Sequence, residues 1–178
     1  MTATANTTAE AMAQGIRLLA LDVDGVLSDG RVIYASDGSE LKAFNIKDGL
    51  GIKLLQRAGI TIAIITGRKS GVVGRRAAEL GITHLVEGRE DKLTALNELC
   101  ASLDLDLAQC AYMGDDLPDL GAIRAAGLGL TVADAVAEVR AAADWCSAAN
   151  GGAGAVREAC EWLLQLRGEW LATVAEFN

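Results

Sequence analysis

Short apolar runs alternate with longer stretches of helical periodicity along most of this chain. Such runs are typical of strands that are covered on both faces. The pattern predicts strands over residues 17–24, 61–65, 84–86, 110–113 and 128–132, and helices over residues 48–58, 70–80, 91–103, 118–126, 135–142 and 155–167. A turn signal at Asp37-Gly38 divides residues 31–44 into a hairpin. The alternation predicts an α/β fold, a doubly wound parallel sheet with helices on both faces and a protruding β-hairpin.

Chain length sets the expected domain organisation. The 178 residues suffice for one domain with a full core and are short for two. Residues 1–15 lack the basic and apolar regions of a signal peptide and are expected to form a disordered lead. A single domain is expected over residues 16–167, with a C-terminal tail over residues 168–178. The predicted hairpin, helices and strands use up the chain between Asp24 and Lys92, so no inserted cap domain is expected.

Composition argues against several classes of protein. The net charge of −8 argues against general nucleic-acid binding, and no apolar run reaches the length of a membrane span. The cysteines have no CxxC spacing, and the single histidine, His84, completes no zinc pattern. Reduced, buried thiols are therefore expected at Cys100, Cys110, Cys146 and Cys160, which indicates a cytoplasmic protein.

Side chains of chemical use recur at the carboxyl ends of the predicted strands, where parallel sheets bind ligands. Asp22 and Asp24 end the first strand and, being two residues apart, point the same way. A DxDG sequence alone is equally typical of a strand that ends in a polar turn. Further residues before or after strand ends supply a hydroxyl, a glycine, basic groups and a second acidic pair: Thr66, Gly67, Arg68, Lys92, Asp115 and Asp116. Their recurrence at four strand ends favours a functional site.

These groups fit phosphoryl transfer through an aspartyl phosphate. Asp22 and Asp115, from two strands, could hold one Mg²⁺ through oxygen ligands. Thr66 and the Gly67 amide can donate to a phosphoryl oxygen, and Lys92, near a helix N-terminus, adds a positive charge. Asp22 would then attack phosphorus in line, with its repulsion from the phosphate dianion reduced by the cation.

Turnover also needs a proton carrier. Asp24, protonated in the first step, would give its proton to the leaving alcohol and then take one from the water that hydrolyses the aspartyl phosphate. Asp116 and Asp119 have two open interpretations, as carboxylates behind the metal ligands or as helix caps beside Pro118.

The motifs DVDG, TGR, Lys92 and GDDLPD, in this order, resemble those of the haloacid dehalogenase superfamily of phosphatases. A closer resemblance covers residues 16–167. The segments LDVDGVLSDG, ELKAFNIKDGLGIK, AIITGRK, LGITHL, GDDLPD and GGAGAVRE are similar to those of the small, capless 3-deoxy-D-manno-octulosonate 8-phosphate phosphatases. The resemblance implies Mg²⁺-dependent hydrolysis of this anionic sugar-acid phosphate, a step of lipopolysaccharide biosynthesis.

The resemblance also implies roles for individual residues. It implies three metal ligands: the nucleophile Asp22, the acid/base Asp24 through its carbonyl, and Asp115. It implies that phosphate is held by Thr66, Gly67, Arg68 and Lys92, and that the rest of the substrate contacts Phe44, Asn45, Ile46, Lys47, Asp48, Lys53, Arg68 and Arg76. Lys47 and Lys53 stand where many members have arginine, and lysine cannot make a two-pronged contact with a carboxylate.

A chain without a cap domain leaves its site open to water, so a neighbouring subunit is expected to close it. The apolar hairpin would be an exposed edge in a monomer, through Val32, Ile33, Tyr34 and Phe44. The resembling family forms tetramers in this way, and its C-terminal tail reaches a neighbour's site. In a homotetramer, Trp170 and Phe177 of the tail would then reach a neighbour's site. A C-terminal tail that is simply frayed is an equal alternative.

Other functions stay open from the sequence. The same chemistry could serve a nine-carbon, sialic-acid-type sugar 9-phosphate, which also carries a carboxylate and a terminal phosphate. A phosphoacceptor signalling domain uses a strand-end aspartate as well, but the proton carrier Asp24 favours turnover over a long-lived phosphoryl group. A non-catalytic oligomerisation module is a further alternative, although such a module would not need the two acidic pairs, the hydroxyl and the cation at the strand ends.

Overall fold

Strands and helices alternate through the structure, a computed structural model that describes residues 3–177. The strands are β1 (Leu18–Leu21), β2 (Ile33–Tyr34), β3 (Glu40–Leu41), β4 (Thr61–Thr66), β5 (His84–Glu87), β6 (Cys110–Gly114), β7 (Leu128–Thr131) and β8 (Trp145–Cys146). The helices are α1 (Ala3–Gly15), α2 (Ile46–Arg57), α3 (Gly71–Leu80), α4 (Lys92–Ser102), α5 (Leu120–Ala125), α6 (Ala137–Ala142), α7 (Ala155–Leu166) and α8 (Trp170–Ala175). Short 3-10 turns lie at Leu107–Gln109 and Leu117–Asp119.

The main sheet contains six parallel strands in the spatial order β5-β4-β1-β6-β7-β8. All four residues of β1 are buried, and Leu18 pairs with Thr61 on one side and with Cys110 on the other. The chain winds outward from β1 in both directions, which places crossover helices on both faces of the sheet. The predicted fold class is therefore confirmed: a doubly wound parallel sheet with a hairpin, and no cap domain interrupts the described residues.

The loop before α7 packs on the loop after β1 and fixes its course. The amide of Gly152 donates to the carbonyl of Val26 at 2.9 Å. At Gly151 the approach is so close that an added Cβ would lie 1.8 Å from the carbonyl oxygen of Gly25. Glycine is needed there because any side chain would push apart the two loops that frame the end of β1.

The structure differs from the predicted pattern at the ends of several elements. The first strand ends at Leu21 rather than at residue 24, although the Asp22 amide still donates to the Met113 carbonyl at 3.0 Å. The chain turns away directly afterwards, through Gly25 at φ +87°. The two-residue β8 and the six-residue α8 were not predicted, since both are too short for a periodic pattern to identify.

The N-terminal segment was expected to be disordered, and for residues 3–15 the structure has helix α1 instead. Its C-terminal end is held by the end of α7: Gln14 Nε2 donates to the Leu166 carbonyl at 3.3 Å, and Arg167 Nη1 donates to the Ala13 carbonyl at 3.4 Å. Ala13 is fully buried. An alanine-rich segment has high helix propensity, and this contact adds the packing that the sequence pattern did not show. The proposed boundaries of the domain remain a prediction.

Three of the four cysteines are buried, as expected, but Cys146 is exposed and the expectation was wrong there. Cys146 lies on the edge strand β8, where successive side chains point to opposite faces. Its neighbour Trp145 turns inward and stacks on Trp162 at 5.2 Å between ring centroids, so Cys146 faces outward. All four cysteines are free thiols.

The predicted hairpin is confirmed, with β2 and β3 antiparallel and Ile33 opposite Leu41. Its apolar side chains are strongly exposed, Ile33 by 50% and Tyr34 by 66%. Single exposed apolar residues are ordinary, whereas a contiguous set on one projecting element is typical of an interaction surface. Among the described residues, no helix combines the length and apolar character needed to cross a membrane.

Candidate active site

The carboxyl ends of β1, β4 and β6 open into one cavity of about 300 Å³. These three strands are neighbours in the sheet, so the loops that follow them face one another. The cavity lining includes every strand-end residue that the sequence analysis selects: Asp22, Asp24, Thr66, Gly67, Arg68, Lys92, Asp115, Asp116 and also Asp119.

Asp22 and Lys92 form the buried centre of the site. Lys92 begins α4, and its ammonium donates to Asp22 Oδ1 at 2.7 Å and to the Ile65 carbonyl at 2.8 Å. The Lys92 side chain is 3% exposed. Burial, followed by the nearby charge of Asp119, raises the pKa of Asp22 to about 6, and the ammonium of Lys92 opposes that rise.

Asp119 organises the loop after β6. Its Oδ2 accepts the amides of Asp115 at 3.1 Å and Asp116 at 3.3 Å, and its Oδ1 accepts the Tyr112 hydroxyl at 2.7 Å and lies 3.4 Å from the Lys92 ammonium. Burial, and then the charge of Asp119, raises the pKa of Tyr112 well above its usual value, so this hydroxyl stays a donor. The carboxylate of Asp116 caps the next turn by accepting the Leu117 amide at 2.8 Å. Asp119 therefore lies behind the site and supports it, whereas the Asp116 side chain acts as a cap.

Three carboxylates converge in a way that suits a divalent cation. One oxygen from each of Asp22, Asp115 and Asp119 lies within 4.8 Å of the others. Asp115 Oδ1 is buried and has no hydrogen-bond partner among the described residues. Burial, and then the charges of Asp119 and Asp22, raises the pKa of Asp115 to about 7. An orphaned buried oxygen beside two further carboxylates fits a hard, oxygen-seeking ion such as Mg²⁺, which would supply the missing partner.

Gly25 makes room for this cluster. An added Cβ at this position would lie 2.0 Å from Asp115 Oδ2. Gly25 also has φ +87°, a conformation that other residues rarely adopt. The glycine of the DxDG motif therefore lets the loop after β1 and the carboxylate after β6 approach each other.

The opposite wall of the cavity carries donors suited to an anion. Thr66 ends β4 and is buried, and its Oγ1 lies 3.4 Å from the Arg68 amide. Gly67 has no side chain to block the approach of a ligand to its amide. The exposed Arg68 guanidinium reaches the hairpin, where Nη2 donates to the Tyr34 hydroxyl at 3.1 Å and lies 3.6 Å from Glu40.

Asp24 lies beside the carboxylate cluster and has a partner that sequence reasoning missed. Its Oδ1 forms an ion pair with the ammonium of Lys42, which follows β3 directly. The one available signal was a lysine inside the apolar hairpin stretch LKAF, which is a place where a cation needs a counter-ion.

Apart from Arg68, the expected contacts with the rest of the substrate do not line this cavity. Phe44, Asn45, Ile46, Lys47, Asp48, Lys53 and Arg76 are not among the residues that line the cavity of the described chain. Asn45 caps α2 by accepting the Lys47 amide at 2.8 Å, and the Arg76 guanidinium lies 5.9 Å from the centre of the Phe44 ring.

Asp48 is buried, and its Oδ1 accepts the Arg157 amide at 2.8 Å in the first turn of α7. Burial raises its pKa. This side chain therefore connects α2 to α7, and its carboxylate does not reach the cavity in the described chain.

Comparisons with known proteins agree with this fold. A family model for haloacid dehalogenase-like hydrolases matches residues 80–159. The 3-deoxy-D-manno-octulosonate 8-phosphate phosphatase of Escherichia coli (strain K12) is 48% identical over 159 residues, which cover 89% of this chain and 85% of that protein. The corresponding phosphatase of Yersinia pestis is 48% identical over 152 residues, or 85% of this chain and 81% of that one.

Solved structures are similar over nearly the whole chain. The 3-deoxy-D-manno-octulosonate 8-phosphate phosphatase of Moraxella catarrhalis, in complex with magnesium, phosphate and the sugar acid KDO, is 50% identical with a TM-score of 0.94 and covers 97% of this chain and 99% of that one. A cobalt-bound phosphatase from Haemophilus influenzae is 40% identical with a TM-score of 0.86, over 89% and 93% of the two chains. The sheet and its acidic cavity define the class of haloacid dehalogenase-like hydrolases. Within that class, the chain belongs to the 3-deoxy-D-manno-octulosonate 8-phosphate phosphatase family, and the resemblance noted from its motifs is confirmed.

Proposed function

We propose that this protein is a Mg²⁺-dependent phosphatase that hydrolyses 3-deoxy-D-manno-octulosonate 8-phosphate to the free sugar acid and phosphate. The observation that carries the proposal is the convergence of the Asp22, Asp115 and Asp119 carboxylates. One of their oxygens, Asp115 Oδ1, is buried without a partner among the described residues, and Lys92 donates to Asp22. Relatives named for this activity are 48% identical over most of the chain, which supports the choice of substrate.

The cation site would be formed by side-chain oxygens of Asp22 and Asp115 and by the carbonyl of Asp24. When bound, Mg²⁺ would offset the repulsion between a carboxylate nucleophile and the phosphate dianion. Asp119 would support this site through the amides of Asp115 and Asp116, which it holds in place. Such supporting contacts orient metal ligands and raise the affinity of a site.

The first chemical step would be attack of Asp22 on phosphorus. Lys92 holds Asp22 Oδ1 and so sets the direction of the carboxylate before the substrate arrives. Thr66, the Gly67 amide and Arg68 would donate to the phosphoryl oxygens, where negative charge is concentrated during the transfer. The product of this step is an aspartyl phosphate on Asp22 and a free alcohol.

The proton needed by the leaving alcohol would come from Asp24. Its carboxyl group lines the cavity and is two residues from the nucleophile. Once deprotonated, Asp24 would accept a proton from the water that hydrolyses the aspartyl phosphate, which returns both residues to their starting states.

We infer that the active form is a cytoplasmic homo-oligomer, a tetramer by the resemblance, in which a neighbour closes each site. The exposed apolar hairpin supports the inference, because Ile33 and Tyr34 project into solvent in a single chain. Residues 44–48, Lys53 and Arg76 do not line the cavity of their own chain, which also fits a role at a neighbour's cavity. Trp170 and Phe177 would serve the same interface from the tail.

Light scattering tests the assembly. Ile33→Asp should lower the mass toward that of a monomer and reduce turnover of the sugar phosphate. Met12→Lys changes an exposed apolar residue on α1 and should leave the mass unchanged. A fully active wild-type monomer would contradict the closure of the site by a neighbour.

A panel of sugar phosphates with detection of free phosphate tests the activity. We expect turnover of 3-deoxy-D-manno-octulosonate 8-phosphate that requires Mg²⁺ and stops in chelator. Asp22→Asn should lose turnover while keeping its fold and its mass. Preference for a nine-carbon sugar 9-phosphate would correct the substrate, and release of phosphate that survives in chelator would overturn the proposal.

A further inference from the structure

Lys42 is a buried cation next to Asp24, and the proposed reaction gives it no role. Its side chain is 2% exposed, although it belongs to a hairpin that otherwise projects into solvent. Burying an ammonium group is costly unless a counter-ion meets it. Asp24 Oδ1 meets it as a hydrogen-bond acceptor, which it is in both the neutral and the ionised form of the carboxyl group.

The two oxygens of Asp24 have different surroundings. Oδ1 accepts from Lys42 and also lies 3.5 Å from the Ser28 hydroxyl. Oδ2 lies 3.8 Å from Arg68 Nε, which is beyond hydrogen-bond distance. The side chain of Asp24 is 25% exposed and lines the cavity. One oxygen is therefore held from behind, and the other is left for the contents of the cavity.

The hairpin anchors the segment that carries Lys42 through a second contact nearby. Glu40, two residues earlier in β3, accepts from the Ser70 hydroxyl at 2.7 Å and lies 3.6 Å from the Arg68 guanidinium. The segment that carries Lys42 is thus tied to the end of β4, where the anion-binding donors lie. Because both ties hold the same short segment, residues 40–42, the position of Asp24 depends on the position of the hairpin.

We propose that Lys42 is a positioning residue for Asp24 and that Oδ2 is the oxygen that carries the proton. This inference rests on the proposed function, in which Asp24 protonates the leaving alcohol. With Oδ1 held as an acceptor, the proton of the neutral carboxyl resides on Oδ2. In the first step the Oδ2–H bond breaks and the alcohol O–H bond forms, while the bond from phosphorus to the alcohol oxygen breaks and the bond to Asp22 forms.

The second step uses the same oxygen in reverse. Water gives a proton to Asp24 Oδ2 as its oxygen bonds to phosphorus, and the bond between phosphorus and Asp22 breaks. Lys42 keeps its charge and its contact with Oδ1 throughout, so it takes no part in the transfer itself. Its loss should let the Asp24 carboxyl rotate and should slow only those steps that need a placed proton.

The test compares two phosphate esters in the Lys42→Met variant. An alkyl ester, the sugar phosphate, needs a proton on its leaving oxygen, whereas p-nitrophenyl phosphate leaves as a stabilised phenolate. Both esters form the same aspartyl phosphate, whose hydrolysis also uses Asp24, so the comparison is made on kcat/KM, which reports the first step. For the sugar phosphate we expect kcat/KM to fall on the order of 10²-fold, within the range of general acid catalysis. For the aryl ester we expect kcat/KM to fall by less than about threefold.

Other outcomes overturn the inference. An equal loss of kcat/KM on both esters would mean a merely structural role, and a raised KM at constant kcat would mean direct contact with the substrate. An unchanged kcat/KM for the sugar phosphate would mean that Asp24 needs no support. Lys69→Met removes an exposed lysine and should match the wild type. Thermal melting checks the fold, and if Lys42→Met does not fold, Lys42→Gln is judged by the same criteria.

A double-mutant cycle separates action through Asp24 from any other effect. In an Asp24→Asn background, adding Lys42→Met should cause no further loss in the residual turnover of the sugar phosphate. Losses that multiply would overturn the inference. A wild type that hydrolyses neither ester would instead refute the proposed function, so the two failures are distinguishable.

Discussion

The ammonium of Lys92 lies 2.7 Å from Asp22 Oδ1, although the two residues are 70 positions apart in the chain. Lys92 begins α4, whereas Asp22 follows β1, and the ammonium also donates to the last-but-one carbonyl of β4, that of Ile65. Asp119 Oδ1 lies 3.4 Å from the same ammonium group. One cation is thus shared by two buried carboxylates at a place nearly closed to water, where it compensates negative charge that the site could not otherwise hold.

Replacing Lys92 by Met should abolish turnover and destabilise the protein near neutral pH. The change leaves Asp22 and Asp119 buried without their cation, and breaking a buried ion pair costs about 3–5 kcal/mol. The loss of stability should be smaller at pH 5, because Asp22, with its pKa already raised to about 6, can then be protonated. Urea unfolding at pH 5 and pH 7.5 measures the difference. Lys69→Met is the control, and an equal loss at both pH values would contradict the assignment.

The candidate site was predictable from the sequence because parallel strands end at a common edge. Asp22, Thr66 and Asp115 could be placed together once each was recognised at the end of its own strand. This inference needs only local patterns and the order of the elements. The same local patterns predicted the hairpin and the helices that connect the strands of the main sheet.

Contacts that depend on how the chain folds back could not be predicted. Lys42 meets Asp24 only because the hairpin returns to the end of β1, a course that no local pattern specifies. Tyr112 looks like one more core residue of β6, and its hydroxyl partner Asp119 becomes visible only with the 3-10 turn in place. The exposure of Cys146 depends on its edge position in the sheet, which is likewise not a local property.

The metal-free protein should lose stability as the pH rises from about 4 to about 7. The pKa of Asp22 is about 6 and that of Asp115 about 7 in the folded protein, both raised first by burial. In the unfolded chain both titrate near pH ~3.9. Between these values the folded state binds more protons, so the free energy of unfolding falls with rising pH and levels off above the folded pKa values.

Thermal melting in chelator at pH 5 and pH 8 measures this dependence. We expect the higher melting temperature at pH 5, by a few degrees, since 1 kcal/mol shifts a domain of this size by about 2–4 °C. Saturating Mg²⁺ should remove the difference because it binds the ionised carboxylates. Asp115→Asn should flatten the dependence in chelator, and a melting temperature that rises toward pH 8 in chelator would refute the explanation.

Tyr112→Phe should weaken Mg²⁺ binding without touching a metal ligand. The hydroxyl donates to Asp119, which in turn holds the amide of Asp115, so its loss loosens a ligand from behind. Contacts of this kind change metal affinity by about 10-fold or more. Titration calorimetry with Mg²⁺ gives the affinity directly. The other tyrosine, Tyr34, contacts Arg68 in the hairpin, so Tyr34→Phe should leave Mg²⁺ affinity unchanged; equal effects in both variants would argue against the role of Asp119.

Gly25→Ala should destroy the cation site for a reason separable from backbone strain. Gly25 and Gly59 have similar backbone angles, φ +87° and +80°, so an alanine at either position costs about 1–2 kcal/mol in conformational strain. Only at Gly25 does the new Cβ meet a neighbour, Asp115 Oδ2 at 2.0 Å, whereas at Gly59 nothing lies within 4 Å. Both variants should therefore melt at lower temperature, but only Gly25→Ala should lose Mg²⁺ binding and turnover. If Gly59→Ala loses Mg²⁺ binding to the same degree, strain rather than the displaced carboxylate is responsible, because the two substitutions share the strain and differ in the clash.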